Sequence, residues 1–372
     1  MRVLVTGANG FIGKNLLLHL RERADVEVVA FTRGHDVSDL PQMLSDVDWV
    51  FHLAGINRPE DPAEFVSGNI DLTKALCEAI RSTGRNIPVV YTSSIQAQGS
   101  SDYGASKRGA EGALLTHQES TGCDVYIYRL PNVFGKWARP NYNSVVATFC
   151  HNIARDLPIQ INDPAALLKL VYIDDVVDDF ISLMDGRAES GPFVDVEPVY
   201  QITLGDLAEQ LTRFKATRDN LVTEPVGTGL TRALHSTYLS YLPPDDFSYA
   251  VPQHGDERGV FVEMLKTRDS GQFSFFTAKP GVTRGGHYHH SKTEKFLVIK
   301  GNACFRFRHM HNGEFYELRT SGDSPEIVET VPGWTHDITN EGDEELVCML
   351  WANEIFDPQD PDTFACPVGT KA

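Results

Sequence analysis

Residues 3–13 read Val-Leu-Val-Thr-Gly-Ala-Asn-Gly-Phe-Ile-Gly, and the fold follows from how that stretch is read. An apolar run of strand length meets glycines at 7, 10 and 13, and the chain then turns amphipathic through Ile12, Leu16, Leu17 and Leu20. That order predicts strand, tight turn, helix. Glycines in such a turn let the backbone bend sharply, approach a pyrophosphate and pack helix on strand, while the helix N-terminus offers free N–H groups to the anion. Gly7, Gly10, Phe11, Ile12 and Gly13 are therefore expected to line a dinucleotide site. A glycine triplet also occurs in ordinary βα turns; what favours the dinucleotide is its place at the head of an alternating chain.

The alternation continues. Strand-like runs recur at Val26–Phe31, Trp49–Leu53, Val89–Ser93 and Val125–Leu130, and between them Asp71–Ile80 puts Leu72, Ala75, Leu76, Ala79 and Ile80 on one helical face. Alternating strands and helices predict a parallel, doubly wound Rossmann sheet of the α/β class. An acid at the end of the second strand selects NAD through the ribose 2′-hydroxyl, whereas an arginine accommodates a 2′-phosphate. Here that strand runs into Thr32-Arg33 with no acid, which points to NADPH. Leu53 and Ala54 end the third strand where small residues let the backbone pass under the cofactor. The fourth strand ends in Ser93-Ser94, and Tyr103 and Lys107 follow four apart on one helical face. An ammonium beside a phenol favours the phenolate, so Tyr103 can pass a proton to a carbonyl oxygen that a serine hydroxyl fixes.

These motifs resemble those of the extended short-chain dehydrogenase/reductases, over residues 1 to 240: the glycine turn, Ser94, Tyr103 and Lys107 as catalytic residues, Asn69 before its helix, and Arg129 to Gly135 for the RxxNVYG run. The resemblance implies nucleotide-sugar chemistry, with Asn132 at the substrate and Ser93 as the competing serine. Ile95-Gln96-Ala97 stands where the related dehydratases carry an Asp-Glu pair, which argues against elimination. Thr32-Arg33 argues against the tightly held NAD of the 4-epimerases and for net ketone reduction.

Composition shifts at Tyr241–Gln253, which holds three prolines, so a seam is expected there, with one domain over 1–243 and another over 244–372. Beyond it the period becomes two, at Phe273–Thr277, Phe296–Ile299, Cys304–Arg308 and Leu346–Trp351, which predicts an antiparallel sandwich or small barrel. His287 and His289 share one strand face, and Glu294 and His336 can complete a metal shell. Zinc fits this donor set, and iron, manganese or nickel remain open on ligand type. Gly281, His287, His289, Glu294 and Gly301 match the first motif of the cupins, and Gly333, His336 and Asn340 most of the second, which implies a jelly-roll. Asp256 to Glu263 and Arg284-Gly285-Gly286-His287 also resemble segments of the deoxysugar 3,5-epimerases. That likeness implies Arg258 and Arg284 as substrate contacts and makes His287 a base; His289, His290, Glu294 and His336 would then be the shell.

Bulk properties narrow the partners. The 372 residues carry a formal charge of −18, which excludes a general nucleic-acid surface. Six scattered cysteines without a CxxC suit a reducing compartment, and neither a signal peptide nor a membrane span is read, so a cytoplasmic place is expected. A reductase followed by an epimerase-like cupin resembles the bifunctional capsular-polysaccharide enzymes of the CapF/WbjC type. The resemblance implies epimerisation at carbon 3 of a UDP-4-keto-6-deoxy-N-acetylhexosamine, then reduction at carbon 4 by NADPH, in a homodimer. Two rivals are a reductase with a non-catalytic oligomerising or sensing cupin, and an iron cupin dioxygenase joined to a reductase.

Overall fold

Val3, Leu4 and Val5 are wholly buried, as are Val50, Phe51, Val89 and Val90, and runs apolar on both faces belong in a parallel sheet covered on both sides. The computed structural model describes residues 1–189, 191–251, 253–256, 259–262, 265–267, 271–354 and 359–369. It divides into two compact units, Met1–Val133 with Lys169–Gln201, and Phe134–Leu168 with Ile202–Ala372.

In the first unit a six-stranded parallel sheet runs in the order Glu27–Phe31, Arg2–Thr6, Trp49–His52, Val89–Ser94, Val125–Leu130, Phe193–Val194. Leu76, Ile80, Ala110 and Leu114 from the helices Leu72–Ser82 and Asp102–Thr121 join Leu4, Val50, Val89 and Ile127 in its core. Each leucine, isoleucine and valine among them contributes about 1.5–3 kcal/mol by burial. The strand order reverses between Arg2–Thr6 and Trp49–His52. A crevice opens beyond the carboxyl ends of strands at such a point, and there the glycine turn and Leu53–Gly55 emerge.

The second unit holds two five-stranded sheets. One runs Ser248–Ala250, Glu326–Glu329, Glu294–Lys300, Leu346–Ala352, Gln272–Ala278; the other Phe315–Ser321, Asn302–His309, Trp334–Asn340, Thr283–Tyr288, Phe364–Ala365. All pairings within them are antiparallel. Period two explains the core: Ala303, Phe305 and Phe307 are buried while Arg306 and Arg308 are not, and Phe305 meets Phe296 of the other sheet with ring centroids 5.6 Å apart.

The proline-rich stretch over 241–253 is built structure rather than a linker. Pro243 and Pro244 open a short turn after the helix Gly229–Leu239, Phe247 is fully buried against Phe307 and Trp334, and Ser248–Ala250 is an edge strand. The 243/244 border therefore lies inside the second unit. Packing places the helices Val145–Ala154, Leu204–Asn220 and Gly229–Leu239 with the antiparallel sheets, where Ser236 Oγ donates to the Ser291 carbonyl at 2.7 Å. Among the described residues, no helix is long and apolar enough to cross a membrane.

Candidate functional site

Gly7 has φ +66°, and a Cβ there would lie 2.6 Å from the Ala54 nitrogen. At Gly13 a Cβ would come within 2.3 Å of the Gly7 carbonyl oxygen. Only glycine allows turn, third strand and helix to approach this closely. The Gly10 amide donates to the Gly7 carbonyl at 2.8 Å, and the half-buried Phe11 and Ile12 open the helix Phe11–Arg21, which carries no acid in its first turn. At the end of the second strand the Thr32 amide donates to His35 Nδ1 at 3.1 Å, and Arg33 is exposed.

Beneath this turn runs a chain of hydrogen bonds. The Ala54 amide donates to Thr6 Oγ1 at 3.1 Å, which lies 2.7 Å from His52 Nδ1; His52 Nε2 lies 2.9 Å from Thr73 Oγ1, which donates to the Asn69 carbonyl at 2.6 Å. The last carbonyl only accepts, so His52 Nε2 carries the hydrogen and Nδ1 accepts from Thr6. Burial, reinforced by the nearby Lys107 charge, pushes His52 down to about 3 and keeps it neutral. Asn69, on a wide π-type turn over Val66–Asp71, donates to Ser106 Oγ at 2.9 Å, and Ser106 Oγ donates to the Tyr103 carbonyl at 2.8 Å. The floor of the turn is thus connected to the helix that carries Tyr103 and Lys107.

Ser94 ends the strand Val89–Ser94, and Tyr103 and Lys107 stand four apart on the helix Asp102–Thr121. The Ser94 hydroxyl acts on the Tyr103 phenol in favour of its ionised form, and Ser101 caps the helix Asp102–Thr121 by accepting from the Gly104 amide at 3.1 Å. A Cβ on Gly104 would strike the Gln96 carbonyl at 2.1 Å, so glycine lets the helix start lie close to the turn after Ser94. Lys107 Nζ is buried, donates to the Thr92 carbonyl at 2.8 Å and stands 4.9 Å from the Tyr91 ring centroid. Burial lowers its pKa to about 8, with Glu111 opposing. The expected downward shift of Tyr103 is not what the fold produces: burial raises its pKa, and only the Ser94 hydroxyl acts against that. Lys107 spends a hydrogen bond on the Thr92 carbonyl.

Ser93 and Ser94 separate by strand alternation. Ser93 Oγ donates to Glu111 Oε1 at 2.5 Å, and Arg129 clamps the same carboxylate at 3.0 and 2.6 Å. Sequence reasoning missed Glu111; the only signal is a buried acid on the helix face that carries Lys107, four residues on. Asn132 is exposed and donates to the Lys169 carbonyl at 3.2 Å.

In the second unit His287, His289, Glu294 and His336 each present one ligand atom, all within 4.8 Å of one another. A bulge at Gly285–His287 and the antiparallel pairing of His287 with His336 bring the imidazoles together. His289 Nδ1 lies 2.6 Å from the Asp362 carbonyl oxygen and must donate to it; Nε2 then lies 3.0 Å from Glu294 Oε2. A neutral imidazole would set its lone pair against a carboxylate oxygen there, an arrangement that calls for a proton or a cation between them. His336 Nε2 is 3.5 Å from the same oxygen, and both its ring nitrogens are buried without a hydrogen-bond partner. Three imidazoles and a carboxylate fit zinc. His290 turns away, its ring packed on Tyr288 and Phe364. Arg284 pairs with Ile338, two residues from His336 on the same strand face, and lies over Phe276 at 5.1 Å. Arg258 lies outside the described residues.

Residues 3–194 match the NAD dependent epimerase/dehydratase family, and residues 254–364 the polysaccharide biosynthesis C-terminal domain. The chain is 65% identical over 372 residues, the whole of both chains, to UDP-2-acetamido-2,6-beta-L-arabino-hexul-4-ose reductase of Pseudomonas aeruginosa. Among solved structures, the capsular polysaccharide assembling protein CapF of Staphylococcus aureus is 40% identical with a TM-score of 0.68, over 99% of this chain and 100% of that one. The UDP-glucuronic acid 4-epimerase of Bacillus cereus, 22% identical over 58% of this chain and 85% of its own with a TM-score of 0.53, shares the fold. With both matches on one chain and a CapF relative along nearly its full length, the protein belongs to the NAD dependent epimerase/dehydratase family, among its CapF-type members.

Proposed function

We propose that the chain is a bifunctional nucleotide-sugar enzyme. The antiparallel unit, a cupin in this reading, inverts carbon 3 of a UDP-4-keto-6-deoxy-N-acetylhexosamine. The parallel-sheet unit then reduces the carbon 4 ketone with NADPH to a UDP-2-acetamido-2,6-dideoxy-L-talose type sugar, toward N-acetyl-L-fucosamine for capsule or O-antigen. What supports this reading is that Ser94 acts on the Tyr103 phenol and Lys107 bonds to the Thr92 carbonyl of the strand that carries Ser94, in a chain alike from end to end to a hexulose reductase.

NADPH supplies the hydride when bound, held by Gly7, Gly10, Gly13, Leu53 and Ala54, with Thr32 and Arg33 at its 2′-phosphate. The ketone oxygen sits against the Ser94 hydroxyl, and Tyr103 gives it a proton as carbon 4 becomes tetrahedral, worth about 10²–10⁴ in rate. Lys107 holds positive charge behind the phenol.

At carbon 3 the hydrogen is acidic because the carbon 4 carbonyl can take the negative charge. Removing that proton and returning one to the opposite face inverts the centre with no net redox. A divalent ion held by His287, His289, Glu294 and His336, zinc in this reading, supplies positive charge when bound, for the enolate or for the fold. Arg284 offers a cation on the same strand face to the substrate's phosphates or sugar, and Arg258 is the second arginine of that role. A homodimer belongs to the same proposal.

The test is incubation with the ketosugar in deuterated buffer, with and without NADPH, following deuterium at carbon 3 and loss of NADPH absorbance. Deuterium without NADPH and a reduced, inverted sugar with it is the expected result. NADPH oxidation without exchange would leave a reductase with a binding module, and the absence of both signals would overturn the sugar reading.

A further inference from the structure

Asp362 touches none of the reacting chemistry, yet it clasps the shell from both its backbone and its side chain. Its carbonyl accepts from His289 Nδ1 at 2.6 Å. Its carboxylate accepts from three consecutive amides, His290 and Ser291 at 2.9 Å and Lys292 at 2.6 Å, and from Ser291 Oγ at 3.3 Å. These hydrogen bonds hold the carboxyl below the ordinary carboxylate range although burial opposes them. Lys292 Nζ returns the contact, donating to the Pro361 carbonyl at 2.8 Å and to Thr363 Oγ1 at 2.6 Å. Asp362 does this at φ +38°, a left-handed conformation that strains a non-glycine residue and persists where the surroundings enforce it.

We propose that Asp362 is a positioning residue for the metal shell, an inference that rests on the metal reading above. A carbonyl only accepts, so the Asp362 oxygen fixes the hydrogen of His289 on Nδ1 and presents the Nε2 lone pair to the ion. The carboxylate, 73 residues away in sequence from the His289 ring, secures the 290–292 turn that joins His289 to Glu294, so both donors are held by one residue. A ring fixed in tautomer and orientation binds more tightly than one that must be ordered on binding, and partners of this kind are worth about 10–100-fold in metal affinity.

The experiment is zinc titration of the full-length metal-free protein against a chromogenic chelator, for wild type, Asp362→Ala, Asp362→Asn and Asp362→Gly, with the visible absorption of the cobalt-loaded forms recorded alongside. Asp362→Ala and Asp362→Gly keep the carbonyl but lose the carboxylate that anchors it to the 290–292 turn, and should bind zinc about 10–100-fold more weakly with a shifted cobalt spectrum. Asp362→Asn, which keeps an acceptor oxygen and tolerates positive φ, should stay within a few-fold of wild type. The glycine variant adopts the backbone angle without strain, so it gives the answer if the alanine variant fails to fold. Zinc affinity and cobalt spectrum unchanged in a folded Asp362→Ala or Asp362→Gly protein would overturn the positioning role while leaving the metal reading intact. A wild-type protein that binds no zinc would overturn the metal reading and this inference with it.

Discussion

Ser93 Oγ donates to the Glu111 carboxylate at 2.5 Å while the next residue, Ser94, faces Tyr103. Two adjacent hydroxyls on one strand end therefore have different work. Ser93→Ala should leave the rate of ketone reduction within a few-fold and cost about 1–3 kcal/mol of stability, because the buried Glu111 loses a donor. Ser94→Ala should keep stability and lower the rate at saturating cofactor by about 10²-fold or more. Paired urea unfolding and steady-state rates separate the two.

Lys107 titrates near 8 instead of 10.5 because burial disfavours its charge. Between those values the unfolded chain holds a proton that the folded chain has released, so this residue makes stability rise with pH through the window and adds a constant penalty below it. Wild type minus Lys107→Met unfolding free energy, measured from pH 7.5 to 10.5, should climb with a limiting slope of about 1.4 kcal/mol per pH unit. A flat difference would show that Lys107 keeps its ordinary pKa.

Legibility followed the range of the interaction. The glycine turn, the Tyr103–Lys107 spacing and the strand alternation that buries Phe305 and Phe307 are local, so period and residue type sufficed. The choice of Ser94 over Ser93 rests on family resemblance and not on pattern, since neighbours on a strand point apart and only the position of Glu111 says where Ser93 points. Tyr241–Gln253 has the composition of a linker, yet one aromatic, Phe247, plugs a core whose other members lie 60 to 87 residues on. The pKa of Tyr103 depends on burial and on where Lys107 spends its hydrogen bond, neither of which spacing reveals. Asp362 meets His289 through a main-chain carbonyl, a contact with no residue-type signature.

Arg33 stands exposed at the end of the second strand, where a 2′-phosphate would sit in this fold. Charge-assisted bonds of that kind are worth about 1.5–3 kcal/mol. Arg33→Ser should weaken NADPH binding about 10–100-fold and leave NADH nearly unchanged, as read by fluorescence titration with each cofactor; equal losses for both would place the phosphate elsewhere.

His52 is held neutral between Thr6 and Thr73, titrating near 3 against 6.5 in the ordinary imidazole. As pH falls from 6.5 toward 3 the unfolded chain gains a proton that the folded chain refuses, so its contribution to stability declines with acid. His52→Asn should flatten that part of the acid limb. It should also raise the KM for NADPH more than it lowers kcat, because the Thr6 hydroxyl that accepts from the Ala54 amide loses its partner. Thermal unfolding across pH 4–7 and cofactor titrations at pH 7 check both.

Glu329 is buried on the face of its sheet opposite the metal shell, ion-paired to Lys295 of the neighbouring strand and to Arg218 of the helix Leu204–Asn220 at 2.6 Å. Lys295 also donates to the Tyr249 hydroxyl at 3.1 Å. Two cations around one buried acid hold the Glu329 carboxyl down at about 2, although burial itself opposes this. Its stabilising share is complete above 4.5 and is lost as pH falls toward 2. Glu329→Gln leaves two buried cations with no acid between them and should cost about 3–5 kcal/mol. Glu329→Gln combined with Lys295→Met and Arg218→Met removes the stranded charges and should recover most of that loss, since buried ion pairs replaced whole by apolar groups are often neutral in stability. Urea unfolding of the single and triple variants decides it: a triple variant no more stable than the single one would show that packing, and not stranded charge, is what Glu329 protects.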